Sequence, residues 1–235
     1  MREKHTHTFS ETGMFLLLIY TVGLITGTLF LILRLIGRIH IVGLHWLRKN
    51  QKKGLILTAN HPSYLEPFLL PLLFFPHFLI HPFRYFPWNT PDKKNFHEQW
   101  YFAWMRSLRW IAIDRSAYLQ KNICALRTMM TALRNGENLI IFPEGGRTFK
   151  RKEIAFSNNG KSLGKLQEGV ERIQSLAECP IVPVWIENTD IVLPDKKWIP
   201  RFWRAKIIIR IGAPVEKYIT IQELEHMLRE LSLQN

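Results

Sequence analysis

Residues 13–33, GMFLLLIYTVGLITGTLFLIL, run for 21 positions without a charge, close to the roughly 20 that a helix needs to cross a hydrocarbon core. Such a run must be hidden in lipid or in protein, and its length and position predict an N-terminal membrane-anchoring helix. A cleaved secretory signal is the competing reading. Glu3 and Glu11 dilute the basic stretch that a signal needs, and no small-x-small cleavage site ends the run. Arg34, Arg38, Arg48, Lys49, Lys52 and Lys53 follow it, whereas Arg2 and Lys4 precede it beside two acids. By the positive-inside rule the bulk of the chain is then expected on the cytoplasmic face. The next stretch, RLIGRIHIVGLHWL, mixes apolar and basic residues, which also suits a second helix lying at the interface. The anchor is therefore read as either spanning or half-inserted.

Past Lys53 the pattern changes to short apolar runs alternating with amphipathic segments, the mark of strands interleaved with helices. Strands are predicted at 54–59, 110–114, 138–142, 181–186 and 205–211. Helices are predicted near 98–108, 118–134, 165–178 and 220–232, with Gly136 stopping the second. The fold class is α/β, a sheet flanked by helices. The division is an anchor at 1–53 and one catalytic-sized domain at 54–235, enough chain for a single core. Thirty-two Lys and Arg against nineteen Asp and Glu give a formal charge of +13, which favours anionic partners without choosing among lipid headgroups, phosphorylated substrates and nucleic acid. Cys124 and Cys179 lack disulfide or zinc spacing. They are read as buried, reduced thiols.

Polar motifs fall where predicted strands end, the usual place for ligand sites in α/β sheets. The first is ANHPSYLEP at 59–67, with His61 and Glu66 five apart. On one helix they would point about 140° apart. A residue before proline is pushed out of the helical region, however, and proline suits a first helical turn. His61 is thus placed in a loop, with Glu66 at the start of the next element and able to fold back toward the imidazole. The second motif holds Asp114 and Arg115, the third is FPEGGRT at 142–148, and the fourth is PIVPVWI with Pro183. Taken singly, His61 could be a solvated loop residue and PEGG an ordinary turn. His77 and His81 have helical spacing for a metal pair, but Pro76 and Pro82 flank them and no third ligand is evident. No metal and no cofactor are expected.

In this order, across about residues 54–190, the four motifs resemble the blocks of the glycerolipid acyltransferase family, the 1-acylglycerol-3-phosphate acyltransferases and their relatives. Those blocks are NH-x-S-x-x-D, I-x-x-D/N-R, FPEG-T-R-S and V-P-V. Glu66 stands where most members have Asp, and Gly146-Arg147-Thr148 replaces Thr-Arg-Ser. The resemblance implies that the third block, Glu144, Gly145, Gly146, Arg147 and Thr148, binds the acceptor, that Arg115 contacts its phosphate, and that Pro183 belongs to the substrate site. It also implies an acyl-CoA or acyl-carrier protein donor, a lysophospholipid acceptor and membrane lipids as partners, with no nucleic acid.

The chemistry follows from the residues. An alcohol needs a general base to attack a thioester at neutral pH. His61 is the candidate base, and Glu66 would fix its tautomer and stabilise the imidazolium. Ser63 is read as a turn or cap residue rather than a covalent nucleophile. The reading is a membrane-bound O-acyltransferase converting 1-acylglycerol-3-phosphate to phosphatidate. Its alternatives are another lysolipid or aminolipid acceptor, or a thioesterase using the same base on water. The stretch DKKWIPRFWRAK (195–206) interleaves aromatic and basic residues. That mixture suits anionic headgroups, base stacking or a solvated hairpin, and the anchor favours lipid.

Overall fold

The computed structural model describes residues 9–49, 54–93, 107–114, 122–150, 153–158 and 161–234. The apolar run is helical throughout: α1 (Phe9–Leu18), a π-helical turn (Ile19–Gly23) and α2 (Leu24–Leu35). It stops at Gly37, whose φ of 73° suits the left-handed position after a helix. There the Gly37 N–H donates to the Arg34 carbonyl and the Arg38 N–H to that of Leu33, the double closure that satisfies a helix C-terminus. The segment Glu11–Leu35 is long and apolar enough to cross a membrane by length and composition. Phe15, Ile19, Phe30 and Leu33 bury one face against the domain, while Leu17, Ile25, Ile32 and Leu35 are exposed on the other.

The stretch expected to form a second, interfacial helix does something else. Ile39–Val42 is strand β1, followed by the short helix α3 (His45–Lys49). β1 pairs in parallel with β8 (Ile207–Ile211), Ile39 opposite Ile207. The boundary drawn at 53/54 therefore cuts through a folded unit, because the chain enters the sheet immediately after the helix. The other strands are β2 (Ile56–Ala59), β3 (Trp88–Asn89), β4 (Leu139–Ile141) and β7 (Ile181–Glu187), in the order β1-β8-β7-β2-β4-β3. All neighbours are parallel except β7 and β8. The segment predicted as a strand at 110–114 contributes only isolated bridges, from Trp110 to Asn89 and from Ile113 to Asp92. A separate hairpin joins β5 (Ile154–Asn158) to β6 (Lys161–Gly164). The helix predicted at 98–108 lies almost wholly outside the described residues.

Alternation along the strands divides the core in two. Leu57, Ile140 and Val182 face one way, toward the N-terminal helix and the short helices α4 (Glu66–Leu69), α5 (His77–Ile80) and α6 (Pro82–Tyr85). Ile56, Leu139 and Ile181 face the other, toward α7 (Ile123–Arg134), α8 (Gly169–Ala177) and α10 (Ile221–Leu233). A last short helix, α9 (Thr189–Val192), follows β7. α10 opens with a capping box in which Thr220 and Glu223 satisfy each other's backbone N–H. Being covered on both faces, β2 is buried at every position, as a central parallel strand must be. The N-terminal helix is thus part of the wall on one side of the sheet, and its other side is an apolar surface unpaired among the described residues. Cys179 is buried, whereas Cys124, in the first turn of α7, is exposed, which corrects its expected burial.

Gly43 ends β1 with φ at 79°, and a Cβ there would lie 2.1 Å from the Ile211 carbonyl oxygen. Gly43→Ala is expected to cost about 2–4 kcal/mol through backbone strain and the parting of β1 from β8. Thermal unfolding in detergent measures it; an unchanged midpoint would show that β1 contributes little to the fold.

Candidate active site

His61, Arg147 and the third block meet at the ends of β2 and β4. The ends coincide because the two strands are parallel neighbours, with Thr58 opposite Ile141. Just beyond β2, the Asn60 side chain imitates a backbone unit: its Nδ2 donates to the Ile186 carbonyl at 2.8 Å and its Oδ1 accepts from the Ile186 N–H at 2.7 Å. This extends the β2–β7 pairing by one residue and fixes the point at which His61 leaves the sheet.

Glu66 is fully buried at the start of α4 and does fold back. Its Oε2 lies 2.7 Å from Nδ1 of His61, and the carboxylate also accepts from the Ser63 N–H and, at 2.8 Å, from the Ser63 hydroxyl. Ser63 Oγ in turn accepts from the Leu65 N–H at 3.0 Å, so the serine is a turn residue whose proton is committed to Glu66. Burial alone would push the Glu66 pKa up. The hydrogen bond and charge of His61, helped by Thr189 and Ser63, outweigh that and hold it below the ordinary value. An ionised carboxylate only accepts, so Nδ1 of His61 carries the proton and Nε2 keeps a free lone pair. The ring is stacked on Phe142 at 4.3 Å between centroids, which holds Nε2 toward the cleft.

In the third block the residues divide into two groups. Glu144 is buried and points inward: Oε1 accepts from the His61 N–H and the Thr148 hydroxyl, each at 2.8 Å, and Oε2 from the Gly164 N–H at 2.7 Å. Burial raises its pKa, and the backbone donors His61 and Gly164, then Thr148, pull it partly back. The Thr148 N–H donates to the His61 carbonyl. Glu144 and Thr148, expected to touch the acceptor, instead clamp the first and third blocks together. Gly145 has φ at 67°, a turn that directs Gly145, Gly146 and Arg147 to the cleft wall. Arg147 is buried, its guanidinium 3.7 Å from the Tyr64 ring centre, 4.8 Å from that of Phe149, and its Nη1 2.5 Å from Oδ1 of Asp195.

The cleft has a volume of about 240 Å³; its polar lining comprises His61, Tyr64, Asn89, Thr90, Asp92, Arg147 and Lys150, with Gly145 and Gly146 at the turn. Lys150 comes from the basic stretch RTFKRKEIAF (147–156), which sequence alone leaves open as a loop near the acceptor or a solvated one. Arg115 lies outside the described residues. Asp114 acts through its backbone, exchanging hydrogen bonds with the Asn122 side chain. Pro183 is buried within β7, its carbonyl accepting from the Gly212 N–H, and does not line the cleft. That corrects its expected place in the substrate site: a mid-strand proline can pack a sheet without reaching its end. His77 and His81 lie against the Tyr85 ring.

A second cavity of about 240 Å³ is almost wholly apolar, walled by Ile19, Gly23, Phe30 and Leu33 of the N-terminal helix and by Leu69 and Leu72. Pro67, Phe68, Asn89 and Trp110 line both cavities. The apolar cavity against the helix and the cleft holding His61 are thus neighbours across these four residues.

A family model described as Acyltransferase matches residues 38–187. The chain is 27% identical over 146 residues to a probable 1-acyl-sn-glycerol-3-phosphate acyltransferase of Mycoplasma pneumoniae, covering 62% of this chain and 49% of that protein. It is 25% identical over 165 residues to the 1-acyl-sn-glycerol-3-phosphate acyltransferase of Saccharomyces cerevisiae, covering 70% and 48%. The matches thus span about half the length of these curated relatives. The crystal structure of the 1-acyl-sn-glycerophosphate acyltransferase PlsC from Thermotoga maritima aligns with a TM-score of 0.53 at 22% identity, over 82% of this chain and 68% of that one. At that identity the likeness is one of fold.

The inward role of Glu144 is testable. Glu144→Gln replaces one acceptor oxygen with an N–H₂ that must face at least the Gly164 N–H, and the buried mismatch is expected to lower stability by about 1–3 kcal/mol with transfer falling in parallel. A variant with unchanged thermal midpoint but a raised acceptor KM would instead mark Glu144 as a direct substrate contact.

Proposed function

The chain belongs to the acyltransferase family, and on that premise we propose that it is a membrane-bound O-acyltransferase that moves a fatty acyl group from a thioester to 1-acylglycerol-3-phosphate, giving phosphatidate. The observation that carries this reading is the junction beside His61. The His61 imidazole lines a cleft that also holds Arg147, Lys150 and Asp92, and this cleft shares Pro67, Phe68, Asn89 and Trp110 with an apolar cavity reaching the N-terminal helix. A lysophospholipid has a phosphate and a hydroxyl for the first, and an acyl thioester has a chain for the second.

In this mechanism the acceptor hydroxyl donates its proton to Nε2 of His61 while its oxygen attacks the thioester carbonyl. The Glu66 carboxylate stabilises the imidazolium. When the tetrahedral intermediate collapses, the C–S bond breaks, the new ester remains, and the imidazolium returns its proton to the departing thiolate. No covalent enzyme intermediate is needed, which agrees with the use of the Ser63 hydroxyl on Glu66. Arg147 presents its guanidinium to the phosphate, with the Tyr64 and Phe149 rings holding it in place. The donor is acyl-CoA or acyl-carrier protein. The exposed apolar face of the N-terminal helix supports membrane attachment, and the basic residues after it support a cytoplasmic domain.

His61→Ala is expected to lower transfer by about 10²- to 10⁴-fold while leaving vesicle co-sedimentation unchanged. Assay of purified protein with acyl thioester and a panel of lysolipids checks it. A near wild-type rate in the variant, or thioester hydrolysis that ignores added acceptor, would refute the mechanism.

Arg147→Lys keeps the charge but loses the planar fork and the stacking on Tyr64. The acceptor KM should rise about ten- to a hundredfold with little change in the donor KM. Kinetics with each substrate varied in turn decide the point, and an unaltered acceptor KM would remove Arg147 from phosphate recognition.

A further inference from the structure

The ion pair between Arg147 and Asp195 ties the cleft to a loop with an unusual surface. Between α9 and β8, Trp198, Ile199 and Trp203 are 73%, 76% and 68% exposed. The loop is ordered by its own turns: the Lys197 N–H donates to the Pro194 carbonyl, Arg201 N–H to that of Val192 and Arg204 N–H to that of Arg201. The aromatic groups are therefore held outward by the backbone. Lys196, Lys197 and Arg204 are exposed among them. Pro200 and Phe202, from the same loop, line the apolar cavity together with Leu29, Phe30 and Leu33 of α2. The loop thus stands beside the helix whose outer face is apolar. Large apolar groups interleaved with cations and continuous with a membrane helix match an anionic bilayer surface, where aromatic rings settle at headgroup level and each basic residue adds attraction.

We propose that loop 194–204 is a lipid-docking element for anionic headgroups and that its Asp195 latches Arg147, so that seating the loop on the bilayer frees the guanidinium for the acceptor's phosphate. The latch half rests on the reading of Arg147 given above. Arg147 is almost wholly buried, and a charge so placed needs a counter-ion. Asp195 supplies it from a side chain that is 32% exposed, on a turn next to Lys196 with φ at 61°. The arginine holds the Asp195 carboxyl below its ordinary pKa, so it is anionic at neutral pH. A phosphate reaching the same guanidinium would meet that carboxylate at close range, and like charges there oppose binding. Lipid contact by Trp198 and Trp203 moves the loop outward, and Asp195 with it. Acceptor recognition is thereby linked to arrival at the surface that carries the acceptor.

The test uses the full chain reconstituted in phosphatidylcholine vesicles with or without phosphatidylglycerol. In a Cys124→Ser background, Trp198→Cys carries an environment-sensitive fluorophore. Its emission is expected to shift to the blue only when phosphatidylglycerol is present; no shift, or an equal shift on adding an oligonucleotide without anionic lipid, overturns the docking. Equilibrium binding of short-chain lysophosphatidate reads the latch independently of catalysis. Asp195→Asn should tighten binding about three- to tenfold in phosphatidylcholine and match the wild type on phosphatidylglycerol. Equal or weaker binding by the variant in phosphatidylcholine would make Asp195 an orienting partner of Arg147 and end the latch. Wild-type binding without any transfer would instead count against the proposed acyltransferase reaction and leave the latch standing.

Discussion

The site depends on one buried carboxylate that takes no part in the chemistry. Glu144 accepts from the His61 N–H, the Thr148 hydroxyl and the Gly164 N–H, three segments that share no strand. Burying a carboxylate is costly, and the raised Glu144 pKa records that cost. The hydrogen bonds make it tolerable, charge-assisted ones contributing on the order of 1.5–3 kcal/mol each. The return is geometric. With His61 fixed at its backbone by Glu144 and at its ring by Glu66 and Phe142, the imidazole has little freedom, and Nε2 is aimed before any substrate arrives. Pre-organisation of this kind is what lets a general base act without reorganising in the transition state.

The substitution of Glu66 for the commoner aspartate fits the same logic. The longer arm is accommodated by seating the carboxylate deep beside Ser63, where backbone and hydroxyl donors occupy the oxygen surface that His61 leaves free. The two glutamates have opposite shifts for a reason visible in their partners. Glu66 faces an imidazole that can carry charge, whereas the donors on Glu144 are neutral. In the proposed mechanism one carboxylate is therefore tuned to stabilise a developing cation, while the other braces a loop.

In the proposed function, attachment to the membrane and access to the site are parts of one construction. The inner face of the N-terminal helix, with Phe15, Ile19, Phe30 and Leu33 buried, completes the apolar cavity whose far end is shared with the catalytic cleft. Its outer face is equally apolar and unpaired by protein among the described residues. A helix hydrophobic all round is stable only if something covers both sides. In the proposed function lipid covers one side and the domain the other, and an acyl chain passes between them without crossing water.

Much of the site was legible in the chain itself, because local rules decided it. The proline after His61 forces a loop, the second proline starts a helix at Glu66, and five residues suffice to bring the pair together. The 21-residue uncharged run dictated a helix, and the buried parallel strands showed as apolar runs bounded by turn residues. What the sequence could not carry were the pairings that depend on distant partners. Ile39–Val42 read as an interfacial helix because four residues beside an apolar helix have no period of their own; β8, far downstream, made them a strand. Pro183 read as a site residue by its block, yet its place inside β7 puts it in the sheet. Glu144 read as a substrate contact, and the N–H groups of His61 and Gly164, 83 and 20 positions away, turned it inward. Asp195 gave no signal at all, since a single carboxylate in a basic loop gains meaning only from the arginine that folding sets 2.5 Å away. The sequence by its local rules decided that His61 and Glu66 could pair. The tertiary structure decided which of its charged groups would face the cleft, because the burial and pairing of a charge are properties of the assembled sheet and loops and of no short segment within them.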